Sequence, residues 1–161
     1  MYLPWAPDGN EYAVFARDDL SGWVKGRAID AVNSFNVAKF LYEDILYRHG
    51  RPKHIIFNGG SENMDLTKNL IDRYHIKGTI ISAFHLQANG LVEYGHDALI
   101  NSLAKYSQHN PSEWSKYLAL ALWADRITVR KSTGYFAFEL LYGRDCLLPV
   151  ELSVRSWVAV D

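Results

Sequence analysis

HIIFNGGSENMDLTKNLIDRYHIKGTIIS, residues 54–82, is the stretch that decides the fold class of this sequence. It contains a short apolar run at 54–57, a helical pattern from Asp65 to Tyr74, and a second apolar run at 78–82. Short apolar runs bounded by glycine or proline are typical of buried strands, and buried strands joined through a helix pair in parallel. The stretch therefore predicts a strand–helix–strand unit of an α/β fold.

The residues upstream of this unit predict two strands and a helix. Residues 11–17 (EYAVFAR) alternate polar and apolar side chains, and residues 23–29 (WVKGRAI) follow across a short turn. This pattern favours two adjacent strands. Residues 34–49 then place apolar side chains at helical spacing, with Ser34 as the expected N-cap and Gly50 as the stop.

The downstream residues predict an irregular segment at 83–90 followed by three helices. The first is long and amphipathic and runs from Leu91 to Tyr106, the second begins at Pro111 with Asn110 as its cap, and the third is short. Neither an internal repeat nor a low-complexity linker divides the chain. We expect one core domain over residues 1–150 and a tail over 151–161.

The composition excludes several classes of protein. With 161 residues, 48% of them hydrophobic, and a net charge of −1, the chain is too apolar for a disordered segment. Its longest apolar run, residues 117–123, is too short to span a bilayer, and its single cysteine excludes a disulfide framework. We expect an intracellular protein, nuclear or cytoplasmic, without a membrane partner. The charge balance is unfavourable for strong binding to nucleic acid.

Polar residues that could carry chemistry follow the predicted strands. They are Asp18 and Asp19, the segment from Asn58 to Glu62, and Glu93 near the start of the long helix. Carboxylates brought together from strand ends and a helix are the usual ligands of divalent metal ions in phosphoryl transfer. Acidic residues at strand ends are more often solvated caps, so the pattern by itself leaves both interpretations open.

Several motifs in order resemble the integrase catalytic core of fungal gypsy-type LTR retrotransposons. They are ARDDLSGW at 16–23, GGSEN at 59–63, HLQANGLVE at 85–93, ADR at 124–126, STGY at 132–135 and ELLYG at 139–143. The resemblance implies a ribonuclease-H-like α/β fold with a mixed sheet flanked by helices. It also implies an ancestral polynucleotidyl transferase that uses two Mg²⁺ ions, two Asp residues and one Glu.

Only one of the three catalytic carboxylates that the resemblance implies is matched by a carboxylate in this chain. The Glu matches Glu93, which would be a vestigial metal ligand, but the second Asp position is Asn58, whose neutral amide is a poor ligand for Mg²⁺. The first Asp would precede Met1, so most of the first, central strand is expected to be missing. The implied consequence is that Mg²⁺ is held weakly or not at all and that catalysis is lost.

The resemblance also assigns a DNA-contacting surface that has lost positive charge. Its residues are Gln87, Asn89, His96 and position 97, where the family commonly has Lys and this chain has Asp97. A carboxylate one helical turn after Glu93 replaces attraction for phosphate by repulsion. Weakened DNA binding is therefore expected.

Three functional hypotheses follow from these residues. The first, which we favour, is an integrase-core fragment of a decayed retroelement without catalysis. The second is an active integrase whose start codon is misplaced, and the third is a host-adopted, non-enzymatic module that binds DNA or protein. Unpaired edges in the incomplete sheet further predict a poorly stable chain or a homo-oligomer.

Overall fold

Four strands form two separate pairs in the structure, which is a computed structural model. It describes residues 3–58, 60, 65–81, 86–131 and 133–146, but not the side chains of residue 81 and residues 86–95. Strand β1 (Tyr12–Arg17) is antiparallel to β2 (Val24–Ile29), and β3 (His54–Asn58) is parallel to β4 (Lys77–Ile81). The parallel pairing predicted from residues 54–82 is therefore confirmed.

The helices follow in the predicted order. They are α1 (Ser34–Phe40), a π-helical segment (Leu41–Leu46), α2 (Tyr47–His49), α3 (Leu66–Arg73), α4 (Leu86–Tyr106), a 3-10 turn (Pro111–Glu113), α5 (Trp114–Arg126) and α6 (Ala137–Tyr142). None of the helices in the described part of the chain is long and apolar enough to cross a membrane.

Three helix starts differ from the prediction. Pro111 begins only a 3-10 turn, for which Asn110 makes no side-chain capping hydrogen bond, and α5 begins at Trp114. Asn33, rather than Ser34, caps α1, because its side chain accepts a hydrogen bond from the backbone N–H of Asn36 at 2.8 Å. Helix α4 begins at Leu86, within the segment that was expected to be irregular. A glycine such as Gly90 costs a helix only about 1 kcal/mol, an amount that the rest of a 21-residue helix outweighs.

Apolar clusters cover both faces of β1. Ala13 points into a cluster with α4 and α5 that contains Leu99, Trp114 and Leu118. Its neighbour Val14 packs on the other side against a cluster formed by α1, α3 and β3. Successive side chains of a strand point to opposite faces, so β1 lies between two helical layers. This layering is the predicted mixed α/β architecture, with helices on both sides of the strands.

The two strand pairs do not join into one sheet among the described residues. The chain ahead of β1 turns back towards it, since the backbone N–H of Leu3 donates to the carbonyl of Glu11 at 2.8 Å. Side chains connect the two pairs in the described part of the chain: Val14 and Ala16 of β1 and Phe57 of β3 meet in the second cluster. Among the described residues, the mixed α/β arrangement thus consists of two small sheets that share a core.

The predicted domain boundary after residue 150 lies outside the residues that the structure describes. Residues 147–150 and the predicted tail over 151–161 lie outside them. The division into a core at 1–150 and a tail therefore stays a prediction.

Candidate active site

Asn58 is the last residue of β3 and lies beside Ile81 of the parallel strand β4. Its side chain is exposed, and its carbonyl accepts a hydrogen bond from the N–H of Gly60 at 2.8 Å. The carboxyl ends of parallel strands are where α/β folds place ligand sites. The structure therefore puts Asn58 at the expected edge of the fold, with a neutral amide where a metal site would use a carboxylate.

The other predicted site residues lie on α4 and are described to different extents. Gln87, Asn89 and Glu93 fall in the half of the helix whose side chains lie outside the described part, and the predicted proximity of Glu93 to Asn58 stays a prediction. Asp97 is exposed on the next turn. Within the described residues, no group of three or more His, Cys, Asp or Glu side chains could hold a metal ion.

Asp18 is one of the two adjacent carboxylates that follow β1 and were considered as metal ligands. Its carboxylate accepts hydrogen bonds from the backbone N–H of Ser21 at 2.8 Å and from the Ser21 hydroxyl at 2.6 Å. These bonds close the turn between β1 and β2. A carboxylate that accepts local backbone bonds in this way is a turn-forming residue.

His96 points from α4 towards β1. Its ring lies 5.6 Å from the ring of Phe15, and its Nε2 atom is buried without a hydrogen-bond partner in the described part of the chain. Burial lowers the pKa of His96 to about 4, and the nearby Arg17 guanidinium adds to this effect while Asp97 opposes it. The imidazole is therefore neutral at physiological pH. Its predicted contact with DNA stays a prediction.

Acidification is expected to weaken the fold through His96. An unfolded histidine titrates near 6.5, so between pH 6.5 and about 4 the unfolded chain takes up a proton that the folded chain does not. The free energy of unfolding should fall by about 1–3 kcal/mol across this window. Urea unfolding at several pH values should show a smaller fall in His96→Gln, while the exposed His109→Gln control keeps the original pH dependence. Identical curves for all three proteins would contradict the assignment.

A buried ion pair beside the β1–β2 turn was not predicted from the sequence. Arg17 donates to both carboxylate oxygens of Asp125, at 2.9 and 3.0 Å, and also to the carbonyl of Gly22 at 2.9 Å. Arg130 donates to the same carbonyl at 2.9 Å and to Asp125 at 3.2 Å. The network ties the turn to the end of α5. The motifs ARDDLSGW and ADR, which contain Arg17 and Asp125, are the signal that could have indicated it.

Sequence comparisons relate the chain to long viral and transposon polyproteins. A retrovirus-related Pol polyprotein from transposon 412 of Drosophila melanogaster is 28% identical over 148 residues, 91% of this chain and 12% of the relative. The Gag-Pol polyprotein of avian reticuloendotheliosis virus is 30% identical over 139 residues, 86% of this chain and 12% of the relative. No family model matches. The chain thus spans about an eighth of these relatives.

The structural comparison concerns the fold. A chain in the structure of the simian T-cell lymphotropic virus intasome, in complex with the PP2A regulatory subunit B56 gamma, superposes with a TM-score of 0.71 at 23% sequence identity. The match covers 85% of this chain and 50% of that one. The chain is therefore similar in sequence to a segment of retroviral and retrotransposon Pol polyproteins, and it has an α/β fold shared with a component of a retroviral intasome.

Proposed function

We propose that this chain is an integrase-core-like domain of fungal gypsy-type retrotransposon ancestry that binds nucleic acid and does not transfer DNA strands. The observation that carries the proposal is Asn58, an exposed neutral amide at the end of β3 where the resembling family has its second catalytic Asp. The similarity to Pol polyproteins and the fold of the intasome chain support the ancestry.

The available side chains do not fit the two magnesium ions of the ancestral enzyme. Two divalent cations held close together need several carboxylates to offset their charge. Asn58 supplies none at its position, and Asp97 stands where the family commonly has the lysine that approaches DNA. The proposed domain thus lacks catalysis and binds DNA only weakly, with DNA and a second copy of the chain as its partners inside the cell.

Equilibrium binding to DNA tests this function directly. At low ionic strength in EDTA, the fluorescence anisotropy of a short labelled DNA duplex should rise as the protein is added. The affinity should fall linearly with salt on logarithmic axes, because binding releases the counterions of the phosphates. Magnesium at matched ionic strength should neither be required for binding nor produce strand-transfer products. Absence of binding at low ionic strength, or strict dependence on magnesium, would contradict the proposal.

A further inference from the structure

Three cationic side chains and a histidine from β2, α2 and α5 lie within electrostatic reach of one another, and we call them the Lys25 patch: Lys25, Arg48, His49 and Arg126. Lys25 and Arg27 lie two residues apart on β2 and so share one face of the strand. Arg27 reaches across to Asp44 at 2.6 Å, and Arg48 approaches the same carboxylate at 3.5 Å. These contacts bring the face of β2 that carries Lys25 next to Asp44, the carboxylate that Arg48 also approaches.

The ring of Trp23 supports two cations of the Lys25 patch. The Cζ atom of Arg126 lies 4.5 Å from the centre of this ring, and the Nζ atom of Lys25 lies 5.9 Å from it. Arg126 also donates twice to the carbonyl of Val24, at 3.0 and 2.9 Å. An aromatic face and a backbone carbonyl therefore hold these cations. In the described part of the chain, neither Lys25 nor Arg126 forms an ion pair with a carboxylate.

The positive charge of the Lys25 patch is only partly compensated. Burial lowers the pKa of Lys25, and the neighbouring Arg126 and Arg48 lower it further. The pKa of His49 is lowered first by burial and then by Lys25 and Arg48, whereas Asp18 opposes this shift. Asp44, the carboxylate that opposes the shift at Lys25, is already paired with both Arg27 and Arg48. An anion placed here would relieve repulsion that these cations otherwise bear.

We propose that the Lys25 patch binds phosphate groups of a nucleic-acid backbone. A cluster of guanidinium and ammonium groups suits a line of phosphates, which a protein holds without reading base sequence. Trp23 is only 6% exposed, but Tyr142, which packs edge-on against it, and Tyr47, next to Arg48, are 52% and 70% exposed. Exposed aromatic rings beside cations are typical of surfaces that bind the bases and phosphates of nucleic acid. The inference rests on the proposed binding of nucleic acid and assigns it to a surface outside β3 and α4.

A matched pair of double variants tests the assignment. Lys25→Gln/Arg48→Gln removes two charges from the patch, and Lys68→Gln/Lys105→Gln removes two exposed charges from α3 and α4. Each lost phosphate contact should reduce the slope of log affinity against log salt by about 0.9. We therefore expect the slope for a labelled duplex to fall by about two in the patch variant, and the affinity at low salt to fall about tenfold or more. The control should keep the slope of the unchanged protein.

Further outcomes separate the alternatives. Lys25→Arg/Arg48→Lys keeps both charges and should bind like the unchanged chain, and melting curves by circular dichroism should show that all variants fold. Equal losses in the patch and control variants would overturn the assignment while leaving nucleic-acid binding intact. Absence of binding by the unchanged chain would overturn the proposed function as well. Displacement of the duplex by a glutamate peptide of matched charge, at a lower concentration than competitor DNA, would assign the patch to an acidic protein partner.

Discussion

Magnesium-dependent disintegration of branched DNA is expected to appear when Asn58→Asp is combined with an added upstream strand that carries the family's His-x-Asp pattern. The unchanged chain should give no product. Asn58 lies at the carboxyl end of β3, so an Asp at this position would place a carboxylate at the carboxyl ends of the parallel strands β3 and β4. Carboxylates supply the charge that a catalytic pair of divalent ions requires.

Three control proteins test whether both added carboxylates are required for activity. Asn58→Asp alone, the upstream strand alone, and the double repair with Ala in place of the added Asp should all remain inactive, because each lacks at least one of the two carboxylates. Product release can be followed on denaturing gels with magnesium and with EDTA. Activity in the unchanged chain would contradict the proposal that Asn58 prevents catalysis. Inactivity of the doubly repaired protein, if it is folded, would contradict the assignment of these positions.

Asp125→Asn is expected to lower the free energy of unfolding by about 3–5 kcal/mol. The side chains of Arg17 and Asp125 are only 6% and 11% exposed, so the substitution leaves a buried guanidinium without its charged partner. Burial raises the pKa of Asp125, and Arg17 opposes that rise. The intact pair therefore contributes little net stability by itself, but removal of one member is costly.

Urea unfolding followed by circular dichroism measures this effect. The matched control is Glu113→Gln, which removes a pair with Lys116 whose side chains are 30% and 63% exposed, and which should cost less than about 1 kcal/mol. Replacing both members, as in Arg17→Met/Asp125→Leu, should cost less than Asp125→Asn because no charge stays buried alone. Equal stability losses in Asp125→Asn and Glu113→Gln would show that the buried pair does not tie the β1–β2 turn to α5.

Local sequence patterns predicted the strands and most helices, because they depend on neighbouring residues. The alternation at 11–17 and the apolar run at 54–57 became β1 and β3 within one residue at each end. The same patterns do not specify which distant residues meet. Arg17 and Asp125 are 108 positions apart, and the Lys25 patch draws on three separate elements.

The candidate site was predictable to a similar extent. The apolar run of β3 predicted that Asn58 would stand at the end of a strand. Only the resemblance indicated that the family has a catalytic Asp at this position. Helical spacing did not indicate that His96 faces Phe15, because periodicity gives the faces of a helix but not their neighbours. The π-helical segment from Leu41 to Leu46 was likewise not predicted, since apolar spacing does not distinguish it from an ordinary helix.

The division of the strands into two pairs affects how the protein opens. In a continuous sheet, backbone hydrogen bonds between all neighbouring strands couple their unfolding. Here the described pairs β1–β2 and β3–β4 are joined by side chains such as Val14 and Phe57. Amide hydrogens of β3 and β4 can therefore exchange with solvent in an opening step that leaves the bonds between β1 and β2 intact. We therefore expect β3 and β4 to open as a unit of their own, so that the local stability of this pair sets how often the edge that carries Asn58 is exposed.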